Sequence, residues 1–167
     1  VKILGTPAHP SRPGKGINAI ESAYGVIHAL KGLEKTWNDR RIEQPYYKDI
    51  KRSINFLVGK IQGGDWSSSV PAWCTLDCRI NIFPGTDPSN AIKEIEDCIH
   101  KHAMSDPALV DNPPTVEYPG HVSSGYVLEP GSTAEEVLAS AHNQSFGSKL
   151  ETSVFTGYFD ATIYTIY

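Results

Sequence analysis

The segment "AWCTLDCRINIF" (72–83) alternates in polarity from its first residue to its last. Ala72, Cys74, Leu76, Cys78, Ile80 and Ile82 fall on one side; Trp73, Thr75, Asp77, Arg79, Asn81 and Phe83 fall on the other. A period of two with one apolar side predicts a strand covered on a single face. Immediately upstream, "SINFLVGKIQGG" (53–64) is β-rich and is joined to it through the turn "GGDWSSS", with Gly59 marking a bulge. "VKILG" (1–5) predicts another short strand. Between the two lies a helix from about Ile17 to Asp39, with Ile20, Ala23, Ile27, Leu30 and Leu33 at helical spacing. Asn18 followed by Glu21 fits a capping box at its start. Gly25 and Gly32 weaken this helix and suggest that something packs closely there.

Downstream, "PGTDPSNAIKEIEDCIHKHA" begins a second helix with Asp87 as cap and Pro88 at the first position, its inward side built from Ile92, Ile95 and Ile99. "PTVEYPG" (114–120) supplies a last strand. The order is β-α-β-β-α-β, which predicts an α+β, ferredoxin-like sandwich: an antiparallel sheet with two helices on one face. That unit occupies 1–123. Residues 124–167 are read as the start of a second, incomplete domain, a partial α/β segment. Its helix is capped by Thr133 or Ser132, with Val137, Leu138 and Ala141 turned inward.

The composition is that of a folded protein: 40% hydrophobic, 20% charged, net charge −4 over 167 residues. No clustered excess of Lys and Arg marks a nucleic-acid face, and no apolar run reaches the roughly 18 residues that cross a bilayer. Three cysteines, Cys74, Cys78 and Cys98, do not make an even disulfide framework. Cys74 and Cys78 would stand about 13 Å apart along a strand, too far to bridge. Buried reduced thiols in a cytoplasmic protein are the expectation. The abrupt ends, "VKILG" and "TIYTIY", suggest an excised piece of a longer chain.

Among possible functional side chains, His28, His100, His102, His121 and His142 lack acidic or thiol partners at metal-ligand spacing, and no H-E-x-x-H or CxxC motif occurs. Glu21, Glu34, Glu94, Glu96 and Asp97 read as a solvated helix face. His9 differs. It sits in the Gly/Pro-studded loop "GTPAHPSRPGKG" just ahead of a helix, where a scaffold commonly presents working side chains. Arg79 projects from the polar side of the alternating strand beside Asn81, held well enough to clamp a carboxylate, unless it pairs with Asp77.

Three motifs taken together, "G-x-x-AH-x-x-x-P-x-x-G-x-NAIE", "I-x-GG-x-x-x-x-x-VP" and a "C-x-L-…-PG" strand, resemble the dimerisation (lid) domain of a family of zinc amidohydrolases. Acetylornithine deacetylase, succinyl-diaminopimelate desuccinylase, aminoacylase and carboxypeptidase G are members. The resemblance covers 1–123, and "GYVLEPGS…FTGYFDATIY" looks like the return into the catalytic domain. There Asp160 and Ala161 match a "T-D-A-R" motif, while Phe159 and Thr162 depart from it. The resemblance implies that His9 crosses a homodimer to stabilise the oxyanion in the partner's active site, as an N-acyl amino acid or peptide is hydrolysed. It implies two zinc (or cobalt) ions in the full-length parent, whose ligands lie outside this chain, so the fragment alone is expected to be inactive. The family's substrate-carboxylate arginine falls at Asn81, two residues past Arg79, and Ser68 and Ser69 occupy a turn that places an Asn near substrate in some members. The first helix or the strand near Ile54–Ile61 is the expected dimer contact. The competing reading is a non-catalytic ferredoxin-like regulatory or ligand-binding module, since a fold alone does not fix function.

Overall fold

The computed structural model describes residues 1–155 and 157, except 13 and 129. The Asp160–Ala161 motif therefore lies outside the described residues. The elements run β1 (Lys2–Leu4), α1 (Ala19–Asp39), a short 3-10 turn (Arg40–Glu43), β2 (Phe56–Gly63), β3 (Trp73–Ile80), α2 (Pro88–Ser105) and α3 (Thr133–Phe146). The sheet has the order β1-β3-β2, antiparallel throughout, so the alternating segment forms its central strand. This is the expected α+β sandwich.

β3 puts Cys74 and Leu76 in the core while Asp77 and Arg79 face outward. Its register with β2 runs Leu57↔Arg79 and Val58↔Cys78, then resumes at Lys60↔Asp77 and Ile61↔Leu76. Gly59 is the extra residue. Paired as an ordinary ladder residue, Gly59 would turn Lys60 to the core side with Val58; as a bulge it leaves Lys60 opposite Asp77 on the outward side. The expected last strand is reduced to one bridge, in which Lys2 and Thr115 exchange both backbone bonds, at 2.8 and 2.9 Å. Pro113, Pro114 and Pro119 surround that bridge and lack the N–H groups that a longer ladder needs. Tyr118 fixes this segment differently. Burial, with Glu96 bonded to its phenol, pushes the Tyr118 pKa up to about 12.

α1 is capped by Asn18, whose side chain accepts from the N–H groups of Ile20 and Glu21 at 3.0 and 3.2 Å. Its buried stripe centres on Ala23, Val26, Leu30 and Trp37, with Ile20, Ile27 and Leu33 at the margin. α2 starts as expected, with Asp87 bonded to Ser89 N–H and Pro88 at the first position, and buries Ala91, Ile95, Ile99 and Ala103. The two helices pack on each other, and the core beneath them gathers Ile3, Leu76, Phe56 and Ile54. Two carboxylates leave the expected solvated face. Glu34 is buried and bonds Lys31 Nζ, which also reaches the Phe56 carbonyl at 2.6 Å. Glu94 receives Arg40 and Trp37. Both positions lie where α1 meets another element, so water does not surround them.

Asn38 was not legible as a core residue. Its amide N–H₂ donates to the Glu34 and Ile54 carbonyls, and its Oδ1 accepts from Ser53 and Ile54 N–H. Every hydrogen-bonding capacity of the buried amide is used, which fastens the approach to β2 onto the end of α1.

Cys74, Cys78 and Cys98 are free, and burial pushes all three thiols up. α3 carries Ser132 as its cap and ends at Gly147. Val137 and Leu138 are exposed rather than turned inward, because α3 packs against no other described element. Among the described residues no helix is long and apolar enough to cross a membrane.

Candidate functional site

The loop that carries His9 is closed at its base and open at its tip. Thr6 and Ile17 exchange backbone bonds of 2.9 Å, Gly5 N–H reaches the Ala72 carbonyl at 2.8 Å, and Ala19 N–H reaches the Pro71 carbonyl at 3.1 Å. The glycines of the motif follow from this closeness. A Cβ on Gly5 would meet the Ile17 and Pro71 carbonyl oxygens. Gly16 holds φ +84°, and a Cβ there would lie 2.6 Å from the Thr6 oxygen. The loop is thus sewn to the start of β3 and to the cap of α1.

At the tip, His9 is exposed. Its Nδ1 lies 2.7 Å from Ser11 Oγ and accepts from Ser11 N–H at 3.2 Å. A backbone N–H can only donate, so Nδ1 is an acceptor and the neutral ring carries its proton on Nε2. The imidazole thereby presents an N–H donor away from the chain. Arg12 N–H closes the turn on the His9 carbonyl at 2.9 Å.

The second turn of this end, 64–72, is brought to the first. Val70 N–H bonds the Ala8 carbonyl at 3.0 Å, and Ser69 N–H bonds the Trp66 carbonyl at 3.2 Å. Ser68 and Ser69 therefore sit beside the His9 loop, as does the exposed Trp66. Asp65 in the same turn accepts from the Trp73 indole at 3.0 Å.

Arg79 and Asn81 lie elsewhere. Six residues of β3 separate Arg79 from Trp73, about 20 Å at the rise of a strand, so one chain does not bring them together with His9. Arg79 is exposed on the open sheet face. Asp77 pairs with Lys60 at 3.9 Å, and Arg79 makes no ion pair among the described residues. Asn81 follows the strand, its N–H on the Asn55 carbonyl at 3.2 Å. Both line a cavity of about 1010 Å³ between the end of the sheet and residues 115–128.

Sequence reading passed over Arg12 and Trp66. The signal for Arg12 was present: from Ile3 to Ile20 the chain carries Arg12 and Lys15 and no carboxylate, against a net charge of −4 overall. Among the described residues no three His, Cys, Asp or Glu side chains gather as a metal site.

Similarities to known proteins follow the same outline. The chain is 24% identical over 147 residues to N-formyl-4-amino-5-aminomethyl-2-methylpyrimidine deformylase of Halalkalibacterium halodurans, covering 83% of this chain and 34% of that protein. It is 28% identical over 130 residues to acetylornithine deacetylase of Proteus mirabilis, covering 78% and 30%. The chain thus spans about a third of the length of these relatives. The crystal structure of aminopeptidase PepT from Bacillus cereus shares the fold at a TM-score of 0.66 and 18% identity, covering 98% of this chain and 39% of that one. A tripeptidase from Staphylococcus aureus does so at 0.61 and 18%, covering 99% and 39%. Residues 1–107 match the peptidase dimerisation domain, and the chain belongs to that M20 family.

Proposed function

We propose that this chain is the lid of a metal-dependent amide hydrolase, a deacylase of N-acyl amino acids or a related peptidase, and that the lid pairs two protomers and carries His9 to the partner's active site. In this reading 1–123 forms the lid and 124–167 leads back toward the catalytic domain. The observation that carries it is the state of His9: exposed, on a loop closed at its base, with Nδ1 occupied so that Nε2–H faces outward. A donor held in advance where negative charge develops on a carbonyl oxygen lowers the barrier without having to reorganise. The deacetylase, deformylase and peptidase relatives all bear names of hydrolases, which favours the same reaction class.

In this reading the two zinc (or cobalt) ions are held by the rest of the parent protein. Ser68 and Ser69 lie where they would border the same substrate. For pairing, β2 is the free edge of the sheet among the described residues. The α1 row Ile20–Tyr24–Ile27–Lys31 runs along it, Ile20 lying against Gly63 and Lys31 bonding Phe56. Tyr24 and Ile61 are left exposed beside that edge.

In the intact parent enzyme, His9→Ala should lower kcat by about 10²–10³, as for loss of one oxyanion donor, with the dimer intact. A near-normal kcat would remove His9 from the reaction. The 167-residue chain alone should hydrolyse no N-acyl amino acid.

A further inference from the structure

We infer that Arg12 is the cation that recognises the substrate's carboxylate, delivered by the same loop as His9; this rests on the reading of His9 as the oxyanion donor. The geometry of an N-acyl α-amino acid sets the requirement. Its α-carboxyl carbon is only three bonds from the carbonyl carbon under attack, so a cation that clamps it must stand close to the group on the carbonyl oxygen. Arg12 meets that condition. Its N–H bonds the His9 carbonyl at 2.9 Å, which folds residues 9–12 into one turn and keeps their Cα atoms within about 7 Å. Lys15 N–H bonds the Arg12 carbonyl in turn, at 3.1 Å, so the Arg12 backbone is held on both sides.

The side chain is available. Arg12 is exposed and makes no ion pair or side-chain hydrogen bond among the described residues. No carboxylate lies in the sequence from Ile3 to Ile20 to neutralise it. Asp65, in the adjoining turn, is engaged by the Trp73 indole at 3.0 Å. A planar guanidinium matches a carboxylate with two parallel N–H donors, which an ammonium does not.

The test uses the intact parent enzyme and a pair of substrates that differ only at the carboxylate: an N-acyl amino acid and its α-carboxamide. Arg12→Ala should raise KM for the acid about tenfold to hundredfold, the range for a charge-assisted bond, and leave the amide unchanged. Arg12→Lys should recover part of the loss. Equal effects on acid and amide would overturn the assignment, as would a selective loss of the acid in Arg79→Ala but not in Arg12→Ala. His9→Ala is run alongside. If it lowers kcat on both substrates while Arg12→Ala does not discriminate, only the present proposal fails. If it changes neither, the underlying reading of the loop fails as well.

Discussion

Glu94 holds α1 to α2 through one carboxylate. Arg40 Nη1 reaches both of its oxygens at 2.9 Å, and the Trp37 indole donates to Oε2 at 2.8 Å. The Arg40 bond, with help from Trp37 and from the charge of Arg40, holds the Glu94 pKa below its ordinary 4.5 although partial burial opposes the shift. A folded-state value below the unfolded one means that the native state gains from the ionised carboxylate above about 4.5 and loses that gain as pH falls through the lower, folded value. Glu94→Gln should therefore destabilise the chain near neutrality by at most about 1 kcal/mol, since the pair is partly exposed. The difference between the two urea midpoints should shrink as pH falls below 4.5, and a difference constant across the acid range would refute the linkage. At this scale the sequence was a weak guide. Glu34 and Glu94 look like any exposed helical acids, and only the crossing of α1 with its neighbours buries one and pairs the other. The exposed loop position of His9 was legible because that loop is local. The distance from Arg79 to that loop was not, because it depends on which way β3 runs from the point where the loop is sewn to it.

Within α1, two glycines that look alike in sequence have opposite consequences. A Cβ on Gly25 would lie 2.6 Å from His102 Nε2, whereas nothing lies within 4 Å of one on Gly32. The His102 ring is wedged there with Nε2 buried and unbonded, Asp106 standing 3.8 Å away. Gly32→Ala should stabilise by about 0.5–1 kcal/mol through helix propensity alone. Gly25→Ala should instead destabilise, because overpacking of about 1–3 kcal/mol outweighs that gain. In a His102→Ala background the same substitution should become stabilising, and urea unfolding of the four chains would read the change of sign. If Gly25→Ala stabilises in both backgrounds, the ring does not constrain α1. The same contrast accounts for which elements could be read in advance. β3 was plain because one side of it is wet and the other dry, so its alternation is undiluted. The strand at 114–120 was overcalled because Val116 and Tyr118 alternate correctly while the prolines around them deny the ladder its donors. In α3 Val137, Leu138 and Ala141 were expected to turn inward and are exposed, because helical spacing alone does not supply a surface to cover them.

Among the described residues the sheet is left open at β2. β1 is covered by the bridge at Thr115, while β2 shows an unpaired edge with Leu57 and Ile61 each nearly half exposed, at 49% and 46%. A bare edge of this kind pairs with whatever strand is offered unless another element covers it or a fixed partner takes it. Two copies related by a two-fold would join β2 to β2 and continue the sheet as β1-β3-β2-β2-β3-β1, with Tyr24 of each α1 beside the seam. Such a contact is self-complementary and closes on itself, which ends the association at two. It would also leave the His9 loops free, because they follow β1 and are sewn to the start of β3, not to the β2 edge. Ile61 lies on the helix-bearing side, opposite Leu76 in the register, so a charge placed there would be carried into the seam. Ile61→Lys should convert a dimer to a monomer in sedimentation velocity at micromolar concentration without lowering the unfolding midpoint of the monomer, since the side chain is already half in water. Tyr24→Glu should act in the same direction from the helix side. A dimer that survives both substitutions would move the interface away from β2, and with it the route proposed for the His9 loop.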